Sequence, residues 1–195
     1  QRMPVVRVKA SPFLCFLVFA SAAVLGQPSD IGEKQRTPRD PAVVQESVDV
    51  KHYNISLEIL PESHRLKAQV TIDFLAEGLL KELTLDLNPN CSMTQVLDSQ
   101  EREIEHRQDA YENNNVKVYF ASPIQAGTAF SLRFVYEGVF ERGRKKSLNT
   151  LREVEAVIAE EGCYLPFAAK WLPIHRYPSD RATAKMVVSV PLGYV

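Results

Sequence analysis

Zinc-dependent cleavage of a peptide bond needs two histidines one helical turn apart with a carboxylate base beside them, the H-E-x-x-H arrangement. This chain has four histidines, His52, His64, His106 and His175; none is followed by Glu, and no two lie four residues apart. His64 and His106 stand among polar residues, and His52 falls on the wet side of an alternating segment, so all four are expected to be surface residues and not ligands. Nucleophilic chemistry has as little support. There is no G-x-S-x-G, and Cys163, the one cysteine with possible site context, reads as a buried structural thiol. Gly138 and Gly143 have the glycine spacing of half a phosphate loop, but Arg144-Lys145 follows where Lys and a hydroxyl residue would be needed, with no helical pattern after it. The spacing is chance, and Arg142, Arg144, Lys145 and Lys146 form a solvated basic loop. Asn54-Ile55-Ser56 and Asn90-Cys91-Ser92 match the glycosylation sequon, a pattern common by accident.

The elements around these residues are strands. Tyr53, Ile55, Leu57 and Ile59 alternate with polar neighbours, as do Leu66 to Phe74, Leu83 to Leu87, Val116 to Phe120, Phe130 to Tyr136 and Ala184 to Val190. Period two over four to nine residues marks a strand with one buried and one wet face. Pro61-Glu62-Ser63-His64, Asn88-Pro89-Asn90, Asn113-Asn114-Asn115 and Gln125-Ala126-Gly127 supply the turns between them. In Leu151 to Glu160 both periods fit, and the strand reading is preferred. Many short strands with almost no helix predict an all-β fold, an antiparallel β-sandwich or curved, saddle-like sheet. The expected inward set is Tyr53, Ile55, Leu57, Val70, Ile72, Phe74, Leu85, Phe130, Leu132, Phe134 and Val188.

The 195 residues are enough for one domain with its own core, and the composition, 45% apolar and 24% charged, is that of a globular protein. A net charge of -1 gives no reason to expect nucleic acid or an anionic membrane as partner. Residues 1–26 read as a secretory signal: Arg2, Arg7 and Lys9, then an apolar run from Phe13 to Leu25 with small residues at Ala20-Ser21-Ala22 and Gly26. That run is too short for a stable membrane span. The chain is therefore expected to be exported, to a periplasmic or extracellular place, with 27–46 a proline-containing linker and 47–195 the domain. Export permits a disulfide between Cys91 and Cys163, but two cysteines are no framework and a domain of this size does not need one. The first residue is Gln1, and a strand-like run ends close to Val195, so the chain is expected to be a fragment.

Five segments, in order, resemble the first domain of the aminopeptidase N family of zinc metallopeptidases. Asp49-Val50-Lys51-His52-Tyr53-Asn54-Ile55-Ser56-Leu57 is similar to its opening strand, "D-V-x-H-Y-D-I-x-L". Leu83-Thr84-Leu85-Asp86-Leu87 resembles "L-x-L-D-L", and Phe134-Val135-Tyr136-Glu137-Gly138 a strand ending in "Y-x-G". Gly162 to Pro173 resembles the "A-R-x-x-F-P" segment, with Ala169-Lys170 in place of Ala-Arg, and Val188 to Tyr194 resembles "V-x-V-P-x-G-Y". The resemblance covers roughly 49–195. It implies the scaffold and substrate-lid domain of an enzyme that removes N-terminal residues from peptides. The partners it implies are a thermolysin-like catalytic domain and the N-terminus of a peptide substrate, and the cofactor it implies is zinc in a full-length parent, with none in this chain. The family's G-x-M-E-N strand and H-E-x-x-H are absent here. Its substrate-amine contact upstream of Ala-Arg maps onto Glu160-Glu161-Gly162-Cys163, which makes Glu161, Cys163 and Tyr164 the expected substrate-binding residues and leaves no expected catalytic or metal residue. Period two does not organise Tyr164, Phe167 and Trp171, so part of this aromatic cluster is expected to face solvent. The rival class is a noncatalytic secreted β-sandwich that binds a partner.

Overall fold

The computed structural model describes residues 5–6, 48–109, 115–141, 156–175 and 181–194. Among these residues eleven strands run in order: β1 (Val5–Val6), β2 (Val48–Leu60), β3 (Arg65–Ala76), β4 (Leu80–Asp86), β5 (Cys91–Asp98), β6 (His106–Asp109), β7 (Asn115–Ile124), β8 (Ala129–Val139), β9 (Val157–Ala159), β10 (Gly162–Tyr164) and β11 (Thr183–Ser189). They form a six-stranded sheet in the order β1-β11-β2-β3-β8-β5, a three-stranded sheet β4-β7-β6, and a β9-β10 hairpin. Two short 3-10 turns, Pro61–Ser63 and Ala168–Lys170, are the only helical pieces among the described residues. No helix among them is long and apolar enough to cross a membrane. Of the expected signal segment the description reaches only Val5–Val6, which lies antiparallel to Val188–Ser189; the remainder of that segment and the linker 27–46 lie outside the described residues.

The period-two segments are the strands that build the core. Val70, Ile72 and Phe134 on the large sheet and Leu83, Leu85, Val116 and Val118 on the small one are almost wholly buried in one cluster, so the two sheets pack face to face as a sandwich. Tyr53, Phe130 and Val188 from the expected inward set are half-buried against that cluster. Alternation slips by one residue in β2, where Val48 and Val50 are buried and then Ile55, Leu57 and Ile59. A bulge between Val50 and His52 accounts for the slip, because one extra residue swaps the faces of everything after it. A second bulge between Met93 and Gln95 does the same in β5.

The sheet is not wholly antiparallel. β11 runs parallel to β2, with Thr183 opposite His52 and Ser189 opposite Glu58. A parallel neighbour needs a long crossover, and the whole sandwich lies between these two strands in the chain. β5 and β6, for which period two gave no sign, are strands as well. Of the ambiguous stretch, Val157–Ala159 is strand and 151–155 lies outside the described residues.

Candidate functional site

The hairpin that carries the predicted site residues hangs from the end of β8. Beyond Val139 the chain continues through Phe140, which is buried, and the Phe140 N–H donates to the His64 carbonyl at 2.8 Å. The Ile158 N–H donates to the Phe140 carbonyl at 2.8 Å, and the His64 ring Nδ1 lies 2.6 Å from the Ile158 carbonyl. A carbonyl only accepts, so Nδ1 carries the proton and is the donor. His64 can do this because it takes the left-handed conformation, φ 55°, at the end of the Pro61–Ser63 turn. Both backbone groups of Ile158 are therefore engaged by the body of the domain, and its side chain is fully buried. His64 is a structural latch, a role that no spacing in the sequence marks.

From β9 the chain turns at Glu160-Glu161 and returns as β10, with Cys163 opposite Ile158 and Tyr164 opposite Val157. Glu161, Cys163 and Tyr164 are thus brought onto one short hairpin, and all three are exposed. Cys163 is not the buried thiol expected, because β10 is the outer strand of the hairpin and only its inner neighbour Ile158 reaches the core. Cys163 and Cys91 are both free, and Cys91 is buried in β5. Partial desolvation by its surroundings pushes the Cys163 thiol above its ordinary range, which disfavours the thiolate and argues against a nucleophile. Behind the turn, desolvation first, and then the negative charges of Glu62 and Glu160, hold the Tyr194 phenol above its usual range.

The aromatic cluster divides. Tyr164 and Phe167 are 58% and 57% exposed, whereas Trp171 is 7% exposed and belongs to the core. The Trp171 indole Nε1 donates to the Leu165 carbonyl at 3.2 Å, and the Trp171 carbonyl accepts from the Tyr136 hydroxyl at 2.7 Å. Trp171 therefore pins the segment that Phe167 presents. Phe167 has φ 52° and ψ 106°, a conformation a bulky residue seldom adopts without tertiary constraint. Further on, Ile174 and Asp86 exchange backbone hydrogen bonds of 2.8 and 3.0 Å, tying the segment to the end of β4. His175, expected at the surface, is buried because it follows this tie into the interior. Lys170 closes the Ala168–Lys170 turn and is half-buried. The arrangement offers carboxylates at a hairpin tip and two aromatic rings on a rigid backing.

No family model matches the chain. No curated protein matches it either. Solved structures do. A two-domain M1 zinc metallopeptidase bound to L-arginine superposes with a TM-score of 0.56 at 25% identity, over 74% of this chain and 33% of that one. The L-tryptophan complex of a two-domain M1 zinc metallopeptidase gives 0.56 at 26% identity, over 75% and 34%. An M1 zinc metallopeptidase from Deinococcus radiodurans bound to a Tyr-Ser-Ala substrate gives 0.56 at 25%, over 78% and 34%. The fold is that of the N-terminal domain of an M1 aminopeptidase. The chain spans about a third of the length of the structures it matches. The described residues do not fit zinc. Among the described residues no group of three metal-ligating side chains converges, His52 Nδ1 is bonded to the Thr183 hydroxyl at 2.7 Å, and His64 is committed to Ile158.

Proposed function

We propose that this chain is the N-terminal scaffold and substrate-lid domain of an exported zinc aminopeptidase, and that it is not catalytic by itself. The observation that carries the reading is a fold shared with two-domain M1 zinc metallopeptidases, of which this chain spans about a third. In this reading the zinc chemistry belongs to a catalytic partner domain. The part of this chain is to bind and to exclude water. The Glu161 carboxylate accepts hydrogen bonds from the substrate's α-ammonium, a charge-assisted contact that suits an exposed turn. Tyr164 and Phe167 wall the cleft on the side of the first substrate residue, and Cys163 stands between the acid and the ring. The free aromatic area then has an occupant, the substrate and the catalytic domain. Export rests on the basic and apolar order of residues 1–26.

Two measurements test this. The chain from Gln27 onward, incubated with zinc and aminoacyl fluorogenic substrates, should give no chelator-sensitive turnover; turnover would overturn the noncatalytic reading. In a parent that carries the catalytic domain, Glu161→Gln should raise KM about tenfold with a smaller effect on kcat, a loss of about 1.4 kcal/mol of binding. An unchanged KM removes Glu161 from the site.

A further inference from the structure

A second feature lies at the end of β8 opposite the hairpin. The β5–β6 connection and the second half of β7 enclose a cleft of about 600 Å³ over the start of β8. Its floor is aromatic. Phe120 meets Phe130 edge to face with ring centroids 5.7 Å apart, and Phe130 stacks on buried Phe74 at 5.1 Å. Ile104 and Ile124 flank the rings. Along the middle of β3 and β8 the inward side chains are sealed, with Val70, Ile72 and Phe134 at 0% exposure. Here four large apolar side chains are only half-buried, although each packs on the core. The volume is in the range that accommodates a bulky side chain or a small ligand.

The charged lining residues are Asp98, Arg102, Glu103 and Glu105. Arg102 is held by Asp98 at 2.7 Å, and beyond the lining Arg133 is held by Glu101 at 2.7 Å. In the adjoining hollow Lys51 is held by Asp49, and Asp73 accepts from the Ser131 hydroxyl at 2.6 Å. Glu103 and Glu105 are exposed, line the cleft, and have no side-chain partner among the described residues. The charge left unneutralised at the mouth is negative, above a floor that is apolar.

We propose that this cleft docks a basic peptide segment, with one aromatic or long aliphatic side chain seated on Phe120 and Phe130 and flanking lysine or arginine groups at Glu103 and Glu105. Complementary charge selects the partner, and burial of the central side chain holds it. The site is separate from the hairpin and asks nothing of a free amino terminus.

The test is a titration of the isotope-labelled full chain with acetyl-Lys-Phe-Lys-amide, followed by amide shifts. Acetylation removes the α-ammonium that the proposed aminopeptidase function would recognise, so failure here and failure there are distinguishable. Saturable shifts are expected at Ile104, Ala121 and Ser131, with none at residues 160–164. Acetyl-Glu-Phe-Glu-amide and acetyl-Lys-Ala-Lys-amide should each bind at least tenfold more weakly. The exposed double variant Glu103→Gln/Glu105→Gln should lose about tenfold, and Ser122→Arg, a rim position, should weaken the basic peptide and strengthen the acidic one. Unchanged Trp171 emission confirms that the variants are folded. Equal binding of the three peptides, shifts confined to the hairpin, or affinity unchanged in both variants overturns the proposal.

Discussion

Replacing Tyr136 by Phe removes one oxygen from the interior and tests how the candidate site is anchored. The Tyr136 hydroxyl, on β8, donates to the Trp171 carbonyl at 2.7 Å, and the two residues are 2% and 7% exposed. Phenylalanine fills nearly the same volume, so the change leaves a buried carbonyl without its donor and little else altered. A net hydrogen bond contributes about 0.5–1.5 kcal/mol, while a stranded buried acceptor costs about 1–3 kcal/mol. The expected loss is therefore about 2 kcal/mol. With a urea dependence of about 2 kcal/mol per molar, the midpoint should fall by about 1 M with its slope unchanged. Trp171 is the only tryptophan, so its emission reports the transition without labelling. The pH dependence has a definite sign. Burial first, and then the charge of Cys91, raise the Tyr136 phenol well above its ordinary value of 10.0. A raised folded value gives stability that is complete below the unfolded pKa and is lost as pH rises past it. The gap between wild type and Tyr136→Phe should narrow above about pH 10. A midpoint shift below about 0.3 M, or a gap that widens with alkali, would show that the Trp171 carbonyl does not depend on Tyr136.

Three further outcomes follow from the packing. Burial pushes the Cys91 thiol from 9.0 up to about 12, so wild-type stability should fall from about pH 9 upward, by as much as about 1.4 kcal/mol per pH unit; Cys91→Ala should lose that slope in alkaline urea titrations, and an identical slope refutes it. A Cβ at Gly138 would stand 2.6 Å from Phe140 Cε2 and 3.0 Å from Cys91 Sγ, so Gly138→Ala should cost about 1–3 kcal/mol as overpacking, read from the thermal midpoint. His64→Asn retains a residue tolerant of the left-handed backbone but is too short to hold Ile158; limited proteolysis should cut residues 156–164 at least tenfold faster while the global urea midpoint moves little, and unchanged cutting would show that the backbone bond to Phe140 suffices.

Local pattern alone determined the sandwich strands. In β3, β8 and the part of β2 after its bulge every second side chain is apolar, and a chain with that period can satisfy its backbone and bury one face as a strand in a sheet. The ordered resemblance also pointed to the domain that the solved structures share. β5 and β6 escaped the same reading because a bulge and a short, polar composition hide their period. Three features came only with the tertiary structure. The parallel seat of β11 beside β2 depends on which sheet edge remained open, and no property of residues 183–189 encodes it. The division of the aromatic cluster, Trp171 inward and Tyr164 and Phe167 outward, depends on where Tyr136 and Leu165 lie in space. The latch from His64 to Ile158 joins residues 94 apart in the chain, and a hydrogen bond over that separation leaves no mark on the spacing of either partner, because distance along the chain and distance in the fold are set by different forces.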